Sequence, residues 1–165
     1  FASPLASNER YNYKLVGKKE MIIPYNNNKI FALKENEIFG PKHHVPDAIR
    51  WELHRVWVIE ATLAPGKRHA VPKRILYIDE DTWSSALFDG YDAAGKIWRA
   101  GLVPAYYFPD MPGVMSGYSS RQYIMDGAWA SENMSFPDVG WQLKPVPMKP
   151  DSFFTPESLA GSATR

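Results

Sequence analysis

The 165-residue sequence contains no cysteine, which excludes disulfides, a thiolate nucleophile and any cysteine-ligated zinc or iron–sulfur site. Neither sign of charge dominates. Lys and Arg number 19 against 18 Asp and Glu, a formal net charge of +1, too weak a field to gather nucleic acid or an anionic membrane surface. No apolar run approaches the roughly 20 residues that a membrane helix requires. A Gly-rich phosphate loop, a Gly-x-Ser-x-Gly elbow and a His-Glu-x-x-His pair are also missing, so no cofactor and no metal is expected and no enzyme motif stands out. The opening Phe1-Ala2-Ser3-Pro4 has neither an initiator Met nor a charged-then-apolar leader, and it reads as a processed product or a fragment.

What is present is aromatic and heavily punctuated. Hydrophobic residues make up 45% of the chain and aromatics 14%, enough for one domain over residues 1–165 to bury about 70% of its unfolded surface. The 14 Pro and 11 Gly argue against long helices. From Tyr11 to Phe31, β-prone runs separated by turn formers suggest two or three short strands or extended segments. Residues 34–49 are aperiodic and mostly polar, a long surface loop.

Arg50 to Thr62 alternates with period 2: Trp51, Leu53, Trp57, Ile59 and Ala61 fall on one side, and His54, Val56, Val58 and Glu60 on the other. Ala64-Pro65-Gly66-Lys67 turns the chain into a second strand from Ala70 to Asp79, where Pro72 marks an edge or a bulge. A third strand, Thr82 to Asp89, turns through Gly90–Gly95 into a fourth, Lys96 to Val103. In that turn Asp92 is expected to accept backbone N–H bonds and Gly95 to adopt positive φ. Four consecutive antiparallel strands make a meander. Arg121–Asp126 and Gly127–Glu132 are further short strands, and Thr155-Pro156-Glu157 opens a short C-terminal helix, with Thr as N-cap and Pro at the first helical position.

Chemistry-bearing residues are few. His43 and His44, near Asp47, read as a solvated loop rather than a ligand pair, and His54 and His69 as cross-strand partners on a polar sheet face. Asp79-Glu80-Asp81 lacks the Gly and the distal Glu of a calcium loop and reads as a solvated turn. A general acid–base pair drawn from these carboxylates and a histidine is the weakest of the readings, because no orienting group accompanies it.

The aromatic content carries more weight. Trp51, Trp57, Trp83, Trp98, Trp129 and Trp141, with Tyr77, Phe88 and Tyr106 to Phe108, supply either a solid core or the wall of an apolar cavity. Alternation selects Trp51, Trp57, Tyr77, Phe88 and Trp98 as the cavity-side set. Met111, Met115, Met125, Met134 and Met148 suit an adaptable surface or fill gaps.

Six phrases occur in order: Tyr13-Lys-Leu-Val-Gly-Lys-Lys-Glu-Met, Ile23-Pro-Tyr-Asn, Trp51-Glu-Leu-His-Arg-Val-Trp-Val-Ile-Glu-Ala-Thr-Leu, Arg74-Ile-Leu-Tyr-Ile-Asp-Glu-Asp-Thr-Trp, Tyr91-Asp-Ala-Ala-Gly-Lys-Ile-Trp-Arg and Phe154-Thr-Pro-Glu-Ser-Leu. Together they resemble the C-terminal part of the bacterial family called domain of unknown function 1329, often labelled outer-membrane lipoprotein-sorting proteins. The segment from Pro112 to Gly140 departs from that pattern. The resemblance implies a lipoprotein-carrier-like fold: a curved antiparallel sheet, an incomplete barrel, with long loops and a short C-terminal helix. It also implies residence in the periplasm or at the outer-membrane periphery of a Gram-negative bacterium, a longer precursor, and association with a resistance–nodulation–division (RND) exporter. It supplies no catalytic residue. Two functions follow as expectations: a non-enzymatic carrier or adaptor for lipid-like hydrophobic cargo, or a structural sheet module pairing with an N-terminal part of the same precursor or with another subunit, including a second copy.

Overall fold

Period-2 runs rich in β-branched and aromatic residues, interrupted by Pro, Gly and Asp, have one way to satisfy their backbone groups, which is lateral pairing. The computed structural model describes residues 9–107, 115–117, 120–125, 128–133 and 147–158. Among these described residues nine strands form: β1 (Tyr11–Pro24), β2 (Trp51–Leu63), β3 (Lys73–Asp79), β4 (Ser85–Tyr91), β5 (Ile97–Leu102), β6 (Ala105–Tyr107), β7 (Met115–Gly117), β8 (Ser120–Met125) and β9 (Ala128–Asn133). Seven of them make one antiparallel sheet in the order β1-β2-β3-β4-β5-β8-β9, and β6 and β7 pair separately. The first five are a meander, and among the described residues no pairing joins β1 to β9, so the sheet is not closed into a barrel.

The expected strands are present, with three differences. Tyr11 to Pro24 is one 14-residue strand rather than several, because a bulge between Leu15 and Gly17 absorbs the irregularity without ending the pairing with β2. The third strand begins at Ser85 rather than Thr82: Thr82 and Trp83 belong to the turn after β3, and Trp83 takes a positive φ of 55°. The segment from 34 to 49 is not merely a polar loop. It holds a four-residue helix α1 (Glu35–Ile38) and a 3-10 turn (Pro46–Ala48), and its Ile38 and Ile49 close on Ile30 as a small core of their own.

Directly paired residues share a face, and the register sorts the side chains. On one face Ile23 and Val56 are fully buried and cluster with Tyr25, Ala86 and Ala105, flanked by Met21, Val58, Tyr77 and Leu87. Asn27 donates its backbone N–H to the Ala105 carbonyl at 2.7 Å and accepts the Arg50 N–H on its side-chain oxygen at 2.7 Å, which fastens the 25–50 segment beside that cluster. Opposite it, a row runs straight across four strands, Leu15 to Ile59 to Leu76 to Phe88.

The β4–β5 turn forms as its residue types require. Asp92 Oδ1 accepts the N–H groups of Ala94 and Lys96, both at 2.9 Å, and Gly95 has φ 75°. Gly90 has a different task inside β4: a Cβ there would lie 2.9 Å from Val71 Cγ1, so the glycine lets the β2–β3 connection pack onto the sheet. Near the C-terminus a 3-10 turn (Asp151–Phe154) precedes Thr155, whose Oγ1 accepts the Ser158 N–H at 3.3 Å in the expected N-cap bond. Trp141, Phe108, Met111 and Met134 lie outside the described residues, as do the side chains of Tyr106, Tyr107, Met115, Met125 and Trp129.

Candidate functional site

The five aromatics selected by alternation do not share one side of the sheet. Trp51, Trp57 and Phe88 lie on the face of the Leu15–Phe88 row; Tyr77, paired with Val58, lies on the other; and Trp98 is the extra residue of a bulge opposite Tyr91. Alternation within each strand is legible in sequence, whereas the faces of different strands are matched only by cross-strand register. Tyr77 donates its hydroxyl to Asp89 Oδ2 at 2.8 Å, and burial together with that carboxylate raises its pKa above the ordinary phenol value.

On the row's face, toward β1, large apolar side chains remain in water. Leu15, Ile22 and Leu53 are 59, 62 and 67% exposed, and Trp83, which stacks on Trp57 with ring centroids 6.5 Å apart, is 73% exposed. Burial grows along the row until Phe88 is buried. A charged bridge crosses this side: Glu80 meets Lys18 Nζ at 2.6 Å and Arg55 at 2.6 Å, and those two bonds hold its pKa down at about 2. Lys18 also sits 3.9 Å from the Trp57 ring centroid.

The other face holds a polar corner where β2 starts and β3 ends. Asp79 is no solvated turn residue. It is buried, its Oδ2 accepts the Thr82 N–H at 3.0 Å, and its Oδ1 is buried without a hydrogen bond. His54, stacked on Tyr25 at 4.0 Å between centroids, brings Nδ1 to 3.4 Å from Asp79 Oδ1 and 3.7 Å from Asp81 Oδ2. Its Nε2 stands 3.6 Å from Glu52 Oε2. Burial raises the Glu52 pKa, but the Asn26 hydrogen bond and Arg50 outweigh it, so the carboxyl stays below its usual range.

His54 therefore does not partner His69, as the sequence suggested. His69 lies in the β2–β3 connection, accepts the Val71 N–H at 2.9 Å and packs against Tyr11, and burial followed by the nearby Arg74 charge lowers its pKa. The His43–His44 pair is likewise split. His43 is exposed, while His44 is buried against Phe39 with its pKa lowered to about 4 by burial and by His43. The sequence paired these carboxylates only with an unspecified histidine; that His54 joins Asp79 and Asp81 was not legible because the grouping crosses two strands and a turn. The one signal available was that His54 shares the inward side of β2 with Val56 and Val58.

An open antiparallel meander with an exposed apolar face and a buried acidic corner defines a mainly-β sheet protein. The chain belongs to the family described as protein of unknown function DUF1329, whose model matches residues 5–160. It is 48% identical over 108 residues to the uncharacterized protein PA3922 of Pseudomonas aeruginosa, a match covering 63% of this chain and 24% of that protein. A crystal structure of a DUF1329 family protein from Desulfovibrio piger is similar at a TM-score of 0.42 and 15% identity, covering 95% of this chain and 50% of that one. The chain thus spans about a quarter of the curated relative and half of the solved one.

Proposed function

We propose that this chain is a non-enzymatic module of the bacterial envelope that binds lipid-like hydrophobic cargo on the exposed apolar face of its sheet. One observation carries the reading: Leu15, Ile22 and Leu53 stand in water on the β1–β2 part of a single face, Trp83 stands in water where it stacks on Trp57 of the same face, and Trp57, Ile59 and Leu76 are half-buried among them. Keeping several large apolar side chains exposed in one region costs solubility, and such patches mark binding surfaces. Trp83 adds to this, because a bulky residue in the left-handed region is costly and here it presents an indole to solvent.

The outer edge of β1, which pairs with no strand among the described residues, suits this role better than lateral pairing does. It is interrupted by the Leu15–Gly17 bulge and carries Lys14, Lys18, Lys19 and Glu20, features that oppose edge-to-edge association. The periplasmic or outer-membrane location and work beside an RND-type exporter belong to the same proposal and rest on the family resemblance. Mass spectrometry of organic extracts from protein purified out of the bacterial envelope tests the carrier reading. Long-chain acyl lipids in stoichiometric amount are expected, and repeatedly empty extracts would remove it.

A second reading has its own observation: the chain spans only a fraction of its relatives' length, and its apolar face would suit a protein cover. Under this reading the face docks against another part of a longer chain or a second subunit, burying well over about 1,000 Å² in total. Light scattering on the purified chain separates the two. A stable monomer of 18.8 kDa that retains lipid supports the carrier, and a stoichiometric protein partner or dimer supports the module.

A further inference from the structure

The geometry points to a binding site for one divalent transition-metal ion of the zinc type, held by His54 Nδ1, Asp79 Oδ1 and Asp81 Oδ2. This goes beyond the cargo-binding proposal and is independent of it, since the corner lies on the opposite face of the sheet from Leu15 and Leu53.

Three observations converge. The potential ligand atoms of the three residues all lie within 4.8 Å of one another, with His54 Nδ1 at 3.4 Å from Asp79 Oδ1 and 3.7 Å from Asp81 Oδ2. Ligands about 2.1 Å from a tetrahedral zinc ion stand about 3.4 Å apart, so an ion fits with little rearrangement. Secondly, Asp79 is 1% exposed and its Oδ1 accepts no hydrogen bond, although that oxygen faces the imidazole. A buried carboxylate oxygen without a donor is costly, and a cation at this point would satisfy it. Thirdly, Glu52 Oε2 is placed 3.6 Å from the far nitrogen of the same ring. A carboxylate behind a ligating histidine favours the proton on the ring nitrogen facing it, and a shift of a few tenths of an ångström would bring Glu52 into hydrogen-bond range of Nε2, leaving Nδ1 free to bind metal.

The charge balance agrees. Glu52, Asp79 and Asp81 bring three carboxylates to the corner, while Arg50 is the cation bonded to Glu52, at 2.8 Å; Lys18 and Arg55 engage Glu80 instead. One imidazole nitrogen among carboxylates favours zinc-type ions over calcium or magnesium, which prefer all-oxygen sets. The remaining coordination would fall to water beside the exposed Asp81. An ion held here would join β2 to the end of β3 and its following turn, a structural role that needs no chemistry on a substrate.

Isothermal titration with zinc chloride at neutral pH on chelator-treated protein, paired with thermal unfolding, tests the site. Expected are one ion per chain, a raised unfolding midpoint, and affinity at least tenfold weaker in His54→Gln and in Asp81→Asn. The Asp81 side chain is exposed, so that variant keeps the test open if Asp79→Asn does not fold. The exposed His43→Gln control should bind zinc as the parent does. The site is refuted by an absence of saturable binding, which would leave His54 and the carboxylates as an ion pair only, by undiminished affinity in both His54→Gln and Asp81→Asn, by loss in His43→Gln, or by equal competition from calcium.

Discussion

Asp92 holds Lys96 by two bonds: its carboxylate Oδ1 accepts the Lys96 N–H at 2.9 Å, and its own N–H donates to the Lys96 carbonyl at 2.9 Å. The turn closes only if the residue before Lys96 takes a left-handed conformation, which Gly95 does at φ 75°. A Cβ at Gly95 would meet nothing within 4 Å, so the cost of a side chain there is backbone strain rather than crowding. Gly95→Val should lower stability by more than about 1 kcal/mol, whereas Lys96→Gln should stay within about 0.5 kcal/mol of neutral. Denaturant titration of the two variants decides it, and coincident midpoints would show that this turn does not set the hairpin register.

Ile23 and Leu53 occupy opposite faces of the β1–β2 pair and should respond very unequally to the same truncation. Ile23 is fully buried against Tyr25, Val56 and Ala86, so Ile23→Ala leaves a cavity and should destabilise by about 2–5 kcal/mol. Leu53, 67% exposed, should lose no more than about 0.5 kcal/mol as Leu53→Ala. Similar losses in calorimetry would show that the two faces are not differently packed, and a larger loss for Leu53→Ala would reverse the assignment of the packed face.

The strands of the meander were legible because alternation and turn chemistry are local: Trp57, Ile59 and Ala61 sit on one side of β2 as the pattern requires, and Asp92 and Gly95 make their turn. Relations among strands were not legible. The unbroken β2–β3 register pairs Tyr77 with Val58 rather than with a neighbour of Trp57's face, and the bulge at Trp98 shifts β5; no single run records either, which is why five aromatics chosen strand by strand part company across the sheet. Asp79 looked solvated because acidic triplets usually are, yet it is the last residue of β3 and faces inward, opposite Val56. Likewise Ile38 and Ile49 were lost among polar neighbours, since their burial depends on Ile30, brought close by the fold.

The buried His44 makes stability depend on pH in a definite direction. Its pKa falls from 6.5 to about 4 in the folded chain, so between these values the unfolded state binds more protons than the native one. Stability is therefore fully present above 6.5 and declines as the pH falls toward 4. Glu80 acts lower down, in the window from 4.5 to about 2, where protonation removes its bonds to Lys18 and Arg55. Unfolding midpoints measured across this range should slope less in His44→Phe above pH 4.5 and less in Glu80→Gln below it. Unchanged slopes in both variants would show that other groups control acid unfolding.

The exposed face gives the last prediction. Leu15 and Leu53 project into solvent from neighbouring strands on either side of the Lys18–Glu80–Arg55 bridge, and removing their apolar character should leave the buried cluster around Ile23 and Val56 untouched. The Leu15→Glu, Leu53→Glu double variant should therefore unfold within about 1 kcal/mol of the parent while binding an apolar fluorescent dye at least about twofold less strongly. Glutamate at position 15 faces Ile59 and is separated from the acidic corner by the thickness of the sheet, so repulsion from Asp79 or Asp81 does not enter. Dye fluorescence and denaturant midpoints on the same samples check both halves. Undiminished dye binding in a stably folded double variant would move the hydrophobic binding surface away from this face, and the cargo reading with it.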